Sequence, residues 1–70
     1  MFENSRLGSM IRKLMRNEDV LYLIVGKENI KVFARKDSVA KMLGSRVQGC
    51  KKVRGSRRYV ITVDVSDLLR

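Results

Sequence analysis

Leu7, Met10, Ile11, Leu14 and Met15 recur at i, i+3, i+4, i+7 and i+8. That spacing lines one face of a helix. It predicts a helix that Asn4 or Ser5 can cap and that runs to about Arg16. Arg6, Lys13 and Arg16 fall on a different side, with Arg12 flanking, and Asn17-Glu18-Asp19 ends the pattern. Val20 to Val25 is apolar at every position and dense in strand formers, which predicts a central strand covered on much of both faces. Gly26 to Asn29 reads as a hairpin loop, with Gly and Asn able to take positive φ. Ile30 to Arg35 then alternates. Ile30, Val32 and Ala34 point one way, and Lys31, Phe33 and Arg35 the other.

The period changes again after Asp37 or Ser38, either of which can cap a second helix. Val39, Ala40, Met42, Leu43 and Val47 supply its apolar stripe, and Gly44 is a place for it to stop or bend. Gln48, Gly49 and Cys50 show no period. Lys51-Lys52-Val53 reads as a short strand and Arg54-Gly55-Ser56-Arg57 as a turn. Tyr59 to Val65 is a strand with Tyr59, Ile61, Val63 and Val65 on its buried face, and Val60, Thr62 and Asp64 outward. Ser66-Asp67 caps a last turn holding Leu68 and Leu69. The expected fold is α+β, one small domain over residues 1–70. Three or four strands form an antiparallel sheet with two helices on one face, in the order αββα(β)β.

Charge changes this picture more than composition does. The net charge is +9, and between Ser38 and Val63 stand seven basic residues and no acid. They are Lys41, Arg46, Lys51, Lys52, Arg54, Arg57 and Arg58. Positive charge clustered this way is the footprint of a polyanion partner. The expectation is a small nucleic-acid-binding protein, with DNA ahead of RNA, acting as a regulator or accessory factor. Lys41 on the second helix and Arg46, Lys51, Lys52, Arg54, Ser56, Arg57 and Arg58 around the basic turn form the expected phosphate-contacting surface. The plain counter-reading of that turn is a solvated loop that keeps a small protein soluble. Phe33 is a candidate for base stacking, and so is Tyr22 if the hairpin register brings it level with Phe33. Lys31 and Arg35 provide a second basic face. The counter-reading for Phe33 is an ordinary core residue.

Ala40, Leu43 and Gly44 have the spacing of the first helix and turn of a helix-turn-helix, with Cys50 and Val53 near apolar positions of its second helix. Ser45 and Gly49 fit that pattern poorly. The alternative of another class is an interaction module or inhibitor that docks its basic face on an acidic protein, as a monomer or a homodimer. The basic side of the first helix is a weaker candidate for an anionic membrane surface, because its apolar stripe is needed against the sheet.

Catalysis is not expected. The chain has no His and one Cys, Cys50, so the usual zinc sets and Ser–His or Cys–His pairs cannot be assembled, and no metal or cofactor is expected. Its seven acids are scattered. The longest apolar run, six residues, is too short to span a bilayer. The first residues lack the layout of a secretory signal, and a lone Cys suits a reducing compartment. The expected location is cytoplasmic, or with the chromosome.

Overall fold

A computed structural model, described over residues 6–68, has the order α1 (Arg6–Arg16), β1 (Val20–Val25), β2 (Asn29–Ala34), α2 (Ser38–Leu43), a 3₁₀ turn (Gly44–Arg46), β3 (Val47–Lys52), β4 (Tyr59–Asp64) and a 3₁₀ turn (Ser66–Leu68). The class is α+β with a four-stranded antiparallel sheet, ordered β1-β2-β4-β3. The expected caps Asn4 and Ser5, and Leu69, lie outside the described residues.

Alternation in the two central strands decides where the core sits. Ile30, Val32 and Ala34 of β2 stand level with Val63, Ile61 and Tyr59 of β4. Ile30, Val32, Ala34, Ile61 and Val63 are buried in one cluster with Val65, Leu7 and Leu14 of α1 and Val39 of α2. Both helices therefore contribute to the core built on that set of strand positions. Met10 and Ile11 pack at its margin, while Met15 is 62% exposed. Met15 stands about 100° round the helix from Leu14, which carries it past the edge of the stripe.

Local hydrogen bonds set the connections. The Asn17 amide donates to the Leu14 carbonyl and closes α1. The Asn17 side-chain oxygen accepts from the Asp19 amide at 2.8 Å and turns the chain into β1. In the β1–β2 hairpin the Gly26 amide donates to the Asn29 carbonyl at 2.7 Å. A Cβ at Gly26 would stand 2.9 Å from the Asn29 side-chain oxygen. Glycine leaves room for that close approach, and Gly26 is not at positive φ. Among the described residues only Gly44 and Gly55 have positive φ.

Two expectations are corrected. β1 is an edge strand; Tyr22 and Ile24 are exposed on the face opposite the core, where no further layer lies among the described residues, and Val25, level with Ile30, is exposed at the end of the edge strand. The second helix stops at Leu43, where Gly44 takes φ 65°; Val47 therefore opens β3 instead of closing the helical stripe. With Gln48 to Lys52 in the same strand, Cys50 is not on a helix and Val53 follows the strand, so the helix-turn-helix pattern is not formed. Asp37 holds the α2 cap position without a side-chain cap bond.

Candidate nucleic-acid interface

The sheet face opposite the core carries the expected stacking residues. One register row across it reads Tyr22, Phe33, Val60, Lys51, and another reads Ile24, Lys31, Thr62, Gly49. The Tyr22 and Phe33 rings stack, with centroids 4.5 Å apart and planes 13° from parallel. Tyr22 remains 45% exposed, so the pair is at the surface and not in the core. Lys31 and Lys51 are exposed on the same face. From Tyr22 on β1 to Lys51 on β3 is about 14 Å, three strand spacings. Among the described residues the only acid at an open-face strand position is Asp64, whose carboxylate accepts from the Ser66 amide and hydroxyl at 3.1 and 2.9 Å.

The β3–β4 loop springs from the pair Lys52–Tyr59, one register step beyond the row holding Tyr22 and Lys51. Its shape follows from Gly55. Residues Val53 to Ser56 close a turn in which the Ser56 amide donates to the Val53 carbonyl at 3.2 Å, and Gly55 at the third position has φ 78°. Negative φ at Arg54 followed by positive φ at Gly55 is the type II pattern, which favours glycine at that place. The Val53 amide also donates to the Arg58 carbonyl at 2.8 Å. Ser56, expected to reach phosphate, is used by the loop itself. Its hydroxyl donates to the Val53 carbonyl at 3.2 Å and accepts from the Arg58 amide at 3.1 Å. Lys52, Arg54, Arg57 and Arg58 project from this braced frame and are exposed. Arg35, one residue past β2, is exposed at the same end of the sheet, where its amide donates to the Asp19 carbonyl.

Lys41 and Arg46 are placed elsewhere. Lys41 lies on α2, in the layer that supplies Val39 to the core. Arg46 lines a groove of about 310 Å³ with Met10, Lys13, Leu43 and Leu68. Its guanidinium donates to both carboxylate oxygens of Asp67, at 2.6 and 3.0 Å, and Arg6 stands 4.0 Å from the same carboxylate. These hydrogen bonds raise the Arg46 pKa and hold the Asp67 carboxyl below its ordinary value, with the opposite charge adding to each shift. Arg46 thus ties the last 3₁₀ turn to the start of β3. The basic surface read as continuous in sequence divides into a helix-layer pair, Lys41 and Arg46, and a group at the sheet and loop, Lys31, Arg35, Lys51, Lys52, Arg54, Arg57 and Arg58.

Ile24 belongs to the open face and was missed, because an unbroken apolar run gives no sign of which strand stands at an edge. The Arg46–Asp67 pair joins positions 21 apart, a separation with no local sequence signal. Among the described residues no helix is long and apolar enough to cross a membrane, and no three His, Cys, Asp or Glu side chains are grouped to hold a metal. Compared with known proteins, the chain matches no family model, no curated protein and no solved structure.

Proposed function

We propose that this chain is a small non-catalytic nucleic-acid-binding domain that lays a single strand across the open face of its sheet. Bases stack at Tyr22 and Phe33, and phosphates meet Lys31, Lys51 and the arginines of the β3–β4 loop. The observation that carries this reading is the surface Tyr22–Phe33 stack on a sheet face that no other described element covers, in one row with Lys51 and one step from the basic loop. Aromatic platforms flanked by cations accept unpaired bases of any sequence, because every base has a π face. A duplex hides those faces, so it would engage the loop alone.

The geometry favours this over a helix seated in a DNA groove. α2 has six residues, turns Val39 into the core and carries a single basic residue, Lys41. Binding to single-stranded DNA, single-stranded RNA and duplex DNA, measured by anisotropy over a range of salt, tests the proposal. With four to six phosphates neutralised, the log–log slope on single strands is expected at about −3 to −4, and single strands should outcompete duplex. A flat salt response, or saturable capture by an acidic protein that excess nucleic acid fails to displace, would overturn it in favour of the protein-docking alternative.

A further inference from the structure

We infer that β1 pairs with β1 of a second copy of this chain, antiparallel about a two-fold axis at Leu23, so that two four-stranded sheets become one.

The first ground is the free hydrogen-bonding edge. Among the described residues β1 is bonded on one side only, to β2. Antiparallel pairs alternate between hydrogen-bonded and non-bonded. Gly26 and Asn29 form a bonded pair, so Ile24–Lys31 is bonded, and Leu23–Val32 and Val25–Ile30 are not. The amides and carbonyls of Leu23 and Val25 therefore face outward. With Leu23 on the axis, the outward groups of Leu23 meet their own counterparts, as an isologous contact demands.

The second ground is the chemistry of the two edges. Exposed edges are normally blunted by charge, proline or a bulge. β3 has Lys51 and Lys52, and a register shift between Val47 and Gly49. β1 is Val-Leu-Tyr-Leu-Ile-Val, without charge, proline or glycine. Its register shift lies at its start, between Val20 and Tyr22, and leaves Tyr22 to Val25 regular. Ile24 and Val25 are 50% and 53% exposed.

Charge selects a second copy as the occupant. A chain of net charge +9 repels its own kind across most of its surface. β1 is the uncharged edge, and the basic loop leaves the sheet from β3, at the opposite edge. Antiparallel pairing sets the entry of one β1, with Glu18 and Asp19, against the exit of the other, with Lys27 and Glu28, so the ends meet without net repulsion. A two-fold axis normal to the sheet keeps both open faces on one side and sets Tyr22 level with Ile24 of the copy.

Sedimentation equilibrium of the full chain without nucleic acid tests this, and its outcome is independent of any nucleic-acid affinity. The expected mass is twice 8.1 kDa at high concentration. Val25→Lys, which adds a charge at an exposed edge position, should give 8.1 kDa, and Val25→Thr, uncharged and strand-forming, should stay dimeric. A monomer throughout, a Val25→Lys dimer, or a mass that climbs without limit would overturn the proposal. Hydrogen exchange of the parent keeps the test decisive if Val25→Lys does not fold. Leu23 and Val25 amides should exchange slowly when concentrated and rapidly on dilution, and rapid exchange in both conditions would overturn the pairing.

Discussion

Tyr22 and Phe33 face each other across neighbouring strands, one at the sheet edge and one in an interior strand, with their rings stacked 4.5 Å apart. Phe33 is half-buried against Tyr22, and Tyr22 keeps exposed ring surface, which the proposed stacking would use. Tyr22→Ala should therefore weaken single-strand binding by about 1–3 kcal/mol and leave duplex binding nearly unchanged. Tyr22→Phe should keep the affinity. Anisotropy titrations of the three proteins check this, and equal losses on single strand and duplex would show that Tyr22 is not a stacking platform.

The β3–β4 loop should supply more of the phosphate contacts than α1. Arg54 and Arg57 stand in a stretch free of acids, whereas Glu18 and Asp19 dilute the field of α1, and Asp67 lies near Arg6. Arg54→Ala with Arg57→Ala is expected to lower affinity strongly and to make the salt slope shallower by about 1–2, with the fold intact. Arg6→Ala with Lys13→Ala should do less. The reverse order would place the binding face on the helix layer.

Leu14 is fully buried between α1 and the sheet. Leu14→Ala is expected to cost about 2–4 kcal/mol of stability. That is a large share of what a 70-residue chain can have, since so small a core leaves little reserve. Thermal unfolding measures it, and a melting temperature within a degree or two of the parent would contradict the packing described.

The Arg46–Asp67 pair should make part of the stability depend on pH. Arg46 holds the Asp67 carboxyl below its ordinary value through the paired hydrogen bonds and its charge. A carboxyl depressed in the folded state stabilises the fold above its unfolded pKa, and that contribution is lost as pH falls through the folded value. Parent and Asp67→Asn should differ at about pH 7 and converge at about pH 2. Both side chains are solvent-facing, so the difference should be small and should shrink in high salt. Urea unfolding at the two pH values checks this, and a gap that persists in acid would assign it to something other than the ion pair.

The sequence by itself determined α1, the β1–β2 hairpin, β4 and the inward positions of the central strands, but not β3, whose local pattern marks only Lys51 to Val53 while the strand runs from Val47 to Lys52. Period 3.6 in Leu7 to Leu14 and period 2 in Ile30 to Ala34 and Tyr59 to Val65 are local patterns, and each element obeys its own spacing. The opposite placement of Lys31 and Phe33 followed from the same alternation, as did the separation of Val60 and Thr62 from Ile61 and Val63. The concentration of charge after Ser38 was equally plain. Only the tertiary structure decided which strands stand at the edges. Six apolar residues in β1 read the same whether a second layer covers them or not, and strand order is fixed by contacts between residues far apart in the chain. Strand order likewise brought Tyr22 and Phe33 into one row with Lys51. It also separated Lys41 and Arg46 from the basic residues of the sheet and the β3–β4 loop, because α2, which gives Val39 to the core, stands apart from β3 and its loop. Ser56 and Arg46 looked in sequence like further phosphate ligands. In the fold each has a protein partner, the Val53 carbonyl for Ser56 and the Asp67 carboxylate for Arg46, joined by contacts that local sequence does not show.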